Sequence, residues 1–116
     1  SEPETPMDAA TLKAAATILD GVGCSSCHVV DGASQGPPVG PDLDFLHGRL
    51  RRDWLARYIQ DPTKSQPYVV MPSPYPMKKD GTLSDDNVIP DLLDNDPAKQ
   101  LDAIVDYLLR PPATRK

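Results

Sequence analysis

Both cysteines of this chain, Cys24 and Cys27, and one of its two histidines, His28, fall within five residues, CSSCH. Such a grouping restricts the chain to folds that converge on whatever these groups hold. Three chemistries use the spacing. A redox-active dithiol wants its first thiolate at a helix start in a βαβ setting, and the sequence lacks the strands for one. A closed zinc site wants four ligands. Only His47 remains among good nitrogen and sulfur donors, at a spacing no common zinc module uses. A disulfide across two residues would be strained and would leave His28 without a part. Covalent haem attachment uses all three residues: each thiol adds to a haem vinyl group, and the adjacent histidine is thereby positioned to ligate iron.

The rest of the chain calls for such a filler. Its 116 residues fit one domain, yet one Phe, one Trp and 14 prolines leave little bulky apolar material for a core. Residues 29–48 and 62–83 read as Gly- and Pro-rich loops without period-2 alternation, and loops that long need something between them. Around them the sequence predicts helices. Thr5 can cap the first, with Pro6 at its first position, Leu12, Ala15, Ala16 and Leu19 on one face and Gly21 at its end. Met7 reads as packing at the helix entry.

A second helix carries Trp54, Leu55, Tyr58 and Ile59 and ends before Pro62. A third, short, starts at Ser84 and bears Val88 and Ile89 before Pro90. The last has Asp96 as cap, Pro97 at its first position and a stripe of Leu101, Ile104, Val105, Leu108 and Leu109, stopped by Pro111 and Pro112. The predicted class is all-α with long loops. A domain over residues 7–110 lies between polar tails at 1–6 and 111–116.

A haem iron held by His28 needs an acceptor for the other ring nitrogen and, for electron transfer, a sixth ligand. Met71, in the Pro-rich stretch QPYVVMPSPYPM, offers a neutral soft donor. Met77 of the same stretch is its rival. His47 reads as a surface loop residue, and Trp54 as a core or haem-packing aromatic. No apolar run reaches the roughly 18 residues of a bilayer span, and the start at Ser1 suggests a processed form or a piece of a longer chain. A net charge of −5 disfavours nucleic acid. The charge is unevenly spread: Arg49, Arg51, Arg52 and Arg57 cluster with one Asp, whereas residues 80–106 hold eight aspartates and one lysine.

With these residues in view, the chain resembles the class I c-type cytochromes, the monohaem group. After CSSCH, GPDLDFLHGR is similar to the family's G-P-x-L segment followed by Gly-Arg; YIQDPTKSQPYVVM is similar to its Tyr, Asn/Asp-Pro, Pro and Met spacing; LDAIVDYLL resembles its last helix, with Tyr107 at the usual aromatic position. The resemblance implies one haem c bound through Cys24 and Cys27, and His28 and Met71 as axial ligands. It further implies that the Pro41 carbonyl accepts from His28, that Leu43 packs on the haem, that Arg49 lies near a propionate, and that Pro67 anchors the Met71 loop. It implies a fold of few helices and long loops around the haem, with first and last helices packed together. Where that crossing often uses Gly and an aromatic, this chain has Ala15 and Leu19. The acidic stretch 78–97 exceeds the usual connection and reads as a partner surface.

The function so implied is one-electron transfer rather than enzymatic catalysis, in the periplasm or at the outer face of the cytoplasmic membrane. The protein would act as a monomer or as a subunit of a redox complex, between donor and acceptor proteins. The alternative is a haem domain feeding electrons within a larger oxidase, reductase or dehydrogenase. A gas sensor or peroxidase-like protein would need an open sixth site.

Overall fold

The computed structural model describes residues 7–65 and 71–115. Its first helix, α1 (Ala9–Gly21), starts at Asp8, whose carboxylate accepts from the Thr11 backbone N–H at 2.7 Å. The helix thus begins a few residues later than Thr5 and Pro6 suggest; both lie outside the described residues. Met7 precedes the cap and packs against the core, as a residue before an N-cap commonly does. Leu12, Ala15, Ile18 and Leu19 form the buried face.

Gly23, at φ 95°, takes the left-handed conformation that turns the chain out of α1, and α2 (Cys24–Cys27) follows at once. Helix α3 (Arg52–Gln60) buries Leu55 and Ile59, and α4 (Pro62–Ser65) begins just past Asp61. Asp96 caps α5 (Pro97–Leu108) by accepting from Ala98 N–H at 2.9 Å, with Pro97 in the first turn where its missing N–H costs nothing. Single 3₁₀ turns stand at Leu43–Phe45, Leu93–Asn95 and Pro112–Thr114. Among the described residues there is no strand, only isolated bridges at Val30–Ala33 and Met77–Leu83. The all-α class predicted from sequence is the observed one.

Helix α1 packs on α5, and α3 packs on α5 as well. Ala15, Ile18, Ile104 and Val105 have no exposed surface. Each fully buried aliphatic chain contributes about 1.5–3 kcal/mol.

Two expectations are corrected. Residues 84–89 do not form a helix: Ser84 Oγ accepts from Asp86 N–H at 3.2 Å and a turn closes from Val88 N–H to Asp85 C=O, but Pro90 removes the next donor, and the Ile89 N–H and C=O go to the Gln100 side chain instead. Nor is 111–115 a free tail. The Arg115 side chain is only 1% exposed and bonds Asp31 at 3.0 Å and Asp44 at 2.9 Å, and the carbonyls of Tyr107 and Leu108 at 3.0 and 3.1 Å. A guanidinium holds five donors in a fixed fork, and this one is satisfied by three segments of the chain.

Candidate functional site

The turn at Gly23 delivers Cys24, Cys27 and His28 to one edge of the molecule. Cys24 is half-buried, Cys27 exposed and His28 buried. The chain beyond then doubles back: Gly40 N–H donates to Cys27 C=O at 2.8 Å, and Leu43 N–H to Val29 C=O at 3.0 Å. The Pro41 carbonyl thereby comes 2.6 Å from His28 Nδ1. A carbonyl can only accept, so Nδ1 is the donor, and in that tautomer of the ring the Nε2 lone pair is the one available to a metal.

Gly40 makes that approach possible. A Cβ there would stand 2.6 Å from Nδ1 and 2.8 Å from Nε2, and closer still to Cε1. The imidazole therefore lies flat against bare backbone, held by sterics on one side and by a hydrogen bond at its edge.

Two largely apolar cavities, about 440 and 320 Å³, open on this imidazole. Cys24, His28, Pro41 and Met71 line both, so the two are halves of one cleft with Met71 in its wall. The larger half is closed by Val22, Val39, Pro72, Pro74 and Asn87. The smaller is closed by Leu43, Leu46, Leu50, Trp54, Tyr58 and Ile59, with Trp54 stacked on Tyr58 at 5.1 Å between centroids and 40% exposed.

Of the residues singled out in the sequence, Cys24, Cys27, His28, Pro41, Leu43, Trp54 and Met71 meet at this cleft. Arg49 is exposed and lines neither half. Met77 is 58% exposed and lines neither half. His47 lies in a turn, half-buried with its Nδ1 enclosed, and lines neither half. Pro67 lies outside the described residues. Sequence reasoning passed over Asn87, Val39 and the steric demand on Gly40, although GPDL was in hand as a motif.

Cys24 lacks the setting of an attacking thiolate: burial, the largest cause, pushes its thiol up to about 11, whereas the nucleophile of a redox dithiol needs a lowered value. Among the described residues no three of His, Cys, Asp and Glu gather as a metal site.

Against known proteins, the family model described as Cytochrome c matches residues 12–110. The chain is a member of the cytochrome c family. Membership implies haem-based electron transfer with covalently bound haem c, in proteins that are generally carriers rather than enzymes and are typically exported. Comparison with curated proteins gave no significant match. No helix among the described residues is long and apolar enough to cross a membrane.

This cytochrome's cleft fits the group its family carries. Two thiols stand at its edge, an imidazole fixed by Pro41 and Gly40 stands in one wall, a thioether shares the space, and the remaining lining is mostly apolar. The charges around it are less separated than the sequence suggests. Arg52 reaches across to α5, bonding Asp106 at 2.6 Å and Asp102 at 3.3 Å, while Arg51 and Arg57 both pair with Asp53.

Proposed function

We propose that this cytochrome is a one-electron carrier whose single haem c, joined to Cys24 and Cys27, is ligated by His28 and Met71. The observation that carries the reading is the shared lining: the His28 imidazole and the Met71 thioether belong to the same two half-cavities that Cys24 opens onto. Bound there, the group supplies a ferrous–ferric couple. The chain's own residues do the rest. Pro41 holds the imidazole in the tautomer that leaves Nε2 free. Met71 donates through a neutral, soft sulfur, and the apolar walls disfavour the more charged oxidised centre, which raises the potential. With His28 and Met71 both holding it, the group would offer substrate no position, which supports transfer rather than catalysis.

Electrons cross where the cleft meets solvent, at Cys27 and at Val39, which is 76% exposed. That rim suits a partner protein that touches briefly. Thioether attachment takes place outside the cytoplasm in bacteria, which supports a carrier in the periplasm or at the outer face of the cytoplasmic membrane.

The test is spectroscopic. The purified protein should carry one haem that survives acid–acetone extraction. Its ferric form should show the far-red thioether-to-iron charge-transfer band, which Met71→Ala abolishes and Met77→Ala leaves in place. A band that follows Met77, or a haem that extracts freely, refutes the assignment.

A further inference from the structure

Gln100 sits on α5 with no exposed surface, in a stripe that is otherwise apolar. All four of its side-chain hydrogen-bonding sites are engaged. Oε1 accepts from the Tyr75 hydroxyl and from Ile89 N–H, both at 3.0 Å; Nε2 donates to Ile89 C=O at 2.9 Å and to Leu92 C=O at 3.0 Å. One amide thus binds helix α5 to the segment after Met71 and to the acidic stretch beyond it. A second amide strengthens the tie: Asn87 Nδ2 donates to the Pro74 carbonyl at 3.1 Å. Ile89 also packs on the end of α1, where a Cβ at Gly21 would stand 2.5 Å from its Cδ1.

The tether from this knot to the cleft is short and stiff. Tyr75, fully buried, follows Met71 by four residues, and two of the three between are prolines with fixed φ. Pro72, Ser73, Pro74 and Asn87 line the same half-cavity as Met71. A thioether is neutral, so no ionic attraction holds it; its place depends on the loop that presents it.

We propose that Gln100 is a positioning residue for Met71, acting through Tyr75 and the Ile89–Leu92 backbone, and that the acidic stretch serves as the internal brace of that loop. The inference rests on Met71 being the sixth ligand. Removing the amide leaves the Tyr75 hydroxyl without its partner in a buried place, and the Ile89 N–H and C=O and the Leu92 C=O without theirs in a half-buried one, which favours opening of the segment. Helix α5 stays packed through Ile104 and Val105.

The experiment titrates imidazole into ferric holoprotein and follows the charge-transfer band. Gln100→Leu should bind imidazole about tenfold more tightly than the parent, with a weakened band. Tyr75→Phe, which removes one hydroxyl and leaves the rest of the knot, should give a smaller change of the same sign. Ile104→Ala, a core change on the same helix away from the knot, should lower global stability and leave imidazole affinity alone. Should Gln100→Leu yield no folded holoprotein, Tyr75→Phe decides, together with the Ile89 amide of the parent, which should exchange with deuterium as slowly as the amides of α5.

The brace is overturned if Gln100→Leu and Tyr75→Phe bind imidazole as the parent does, if Ile104→Ala raises the affinity equally, or if the Ile89 amide exchanges at loop rates. A parent without the band, or a Met71→Ala variant that keeps it, brings down the ligand assignment and the brace with it. With those two controls in order, only the brace is at stake.

Discussion

Replacing Gly40 by Ala puts the cleft's geometry to its hardest test. The added methyl would overlap three atoms of the His28 ring, at 2.6 Å from Nδ1 and 2.8 Å from Nε2. The ring cannot yield freely, because Nδ1 is tied at 2.6 Å to the carbonyl of the very next residue, Pro41. Nor can the backbone at 40, whose N–H donates to Cys27 C=O. Overpacking of a tight site costs about 1–3 kcal/mol, and loosening the His28–Pro41 hydrogen bond adds about 0.5–1.5 kcal/mol. The expected loss is therefore about 1.5–4.5 kcal/mol in urea unfolding of the ferrous holoprotein. The His28 ring N–H resonance should shift at the same time, and the potential should fall as the imidazole tilts. A loss within about 0.5 kcal/mol, the range of an ordinary surface change, with an unmoved N–H resonance, would refute the cradle.

Arg115→Leu should cost about 3 kcal/mol, the low end for breaking a buried ion pair because Asp31 remains 43% exposed, and urea unfolding checks it; a cost under about 1 kcal/mol would mean that the clasp is ornamental. The phenols of Tyr75 and Tyr107 are both held above the ordinary 10.0, chiefly by burial and for Tyr107 also by its hydrogen bond to Asp31. Because the raised folded value favours the protonated form, this stability is complete below pH 10.0 and is lost as pH rises past it. Unfolding measured from neutral to strongly alkaline pH should show the decline, and the double Tyr→Phe variant should flatten it.

What the sequence made legible follows from range. CSSCH and the Asp96–Pro97 cap are local signals, and both appear in the structure where they were read. The stripe of Leu101, Ile104, Val105 and Leu108 was equally clear. Gln100 shares that face, one helical repeat before Ile104, but a polar residue there reads as an edge until its four partners are known. PPATRK reads as a tail because the carboxylates that bury Arg115 lie 84 and 71 positions earlier. The mistaken helix at 84–89 has the same origin: Ser84 does accept from Asp86, but the backbone of Ile89 is claimed from α5. Gly40 was quoted within a motif, yet its necessity shows only when the ring of His28 is set against it.

The long reach of the Arg115 clasp bears on the order of assembly. Asp31 and Asp44 bracket the segment that carries Gly40 and Pro41, and the guanidinium that gathers them is 84 residues beyond Asp31. Arg52 likewise waits for Asp106, 54 residues on. Contacts across such distances form late, since each must first offset the entropy of closing its loop. Until residues 45 to 115 have been delivered, Cys24 and Cys27 stand on a segment that this clasp has not yet closed. The last stretch of the chain then acts as a latch, shutting on the segment of Gly40 and Pro41 only after everything between has been made.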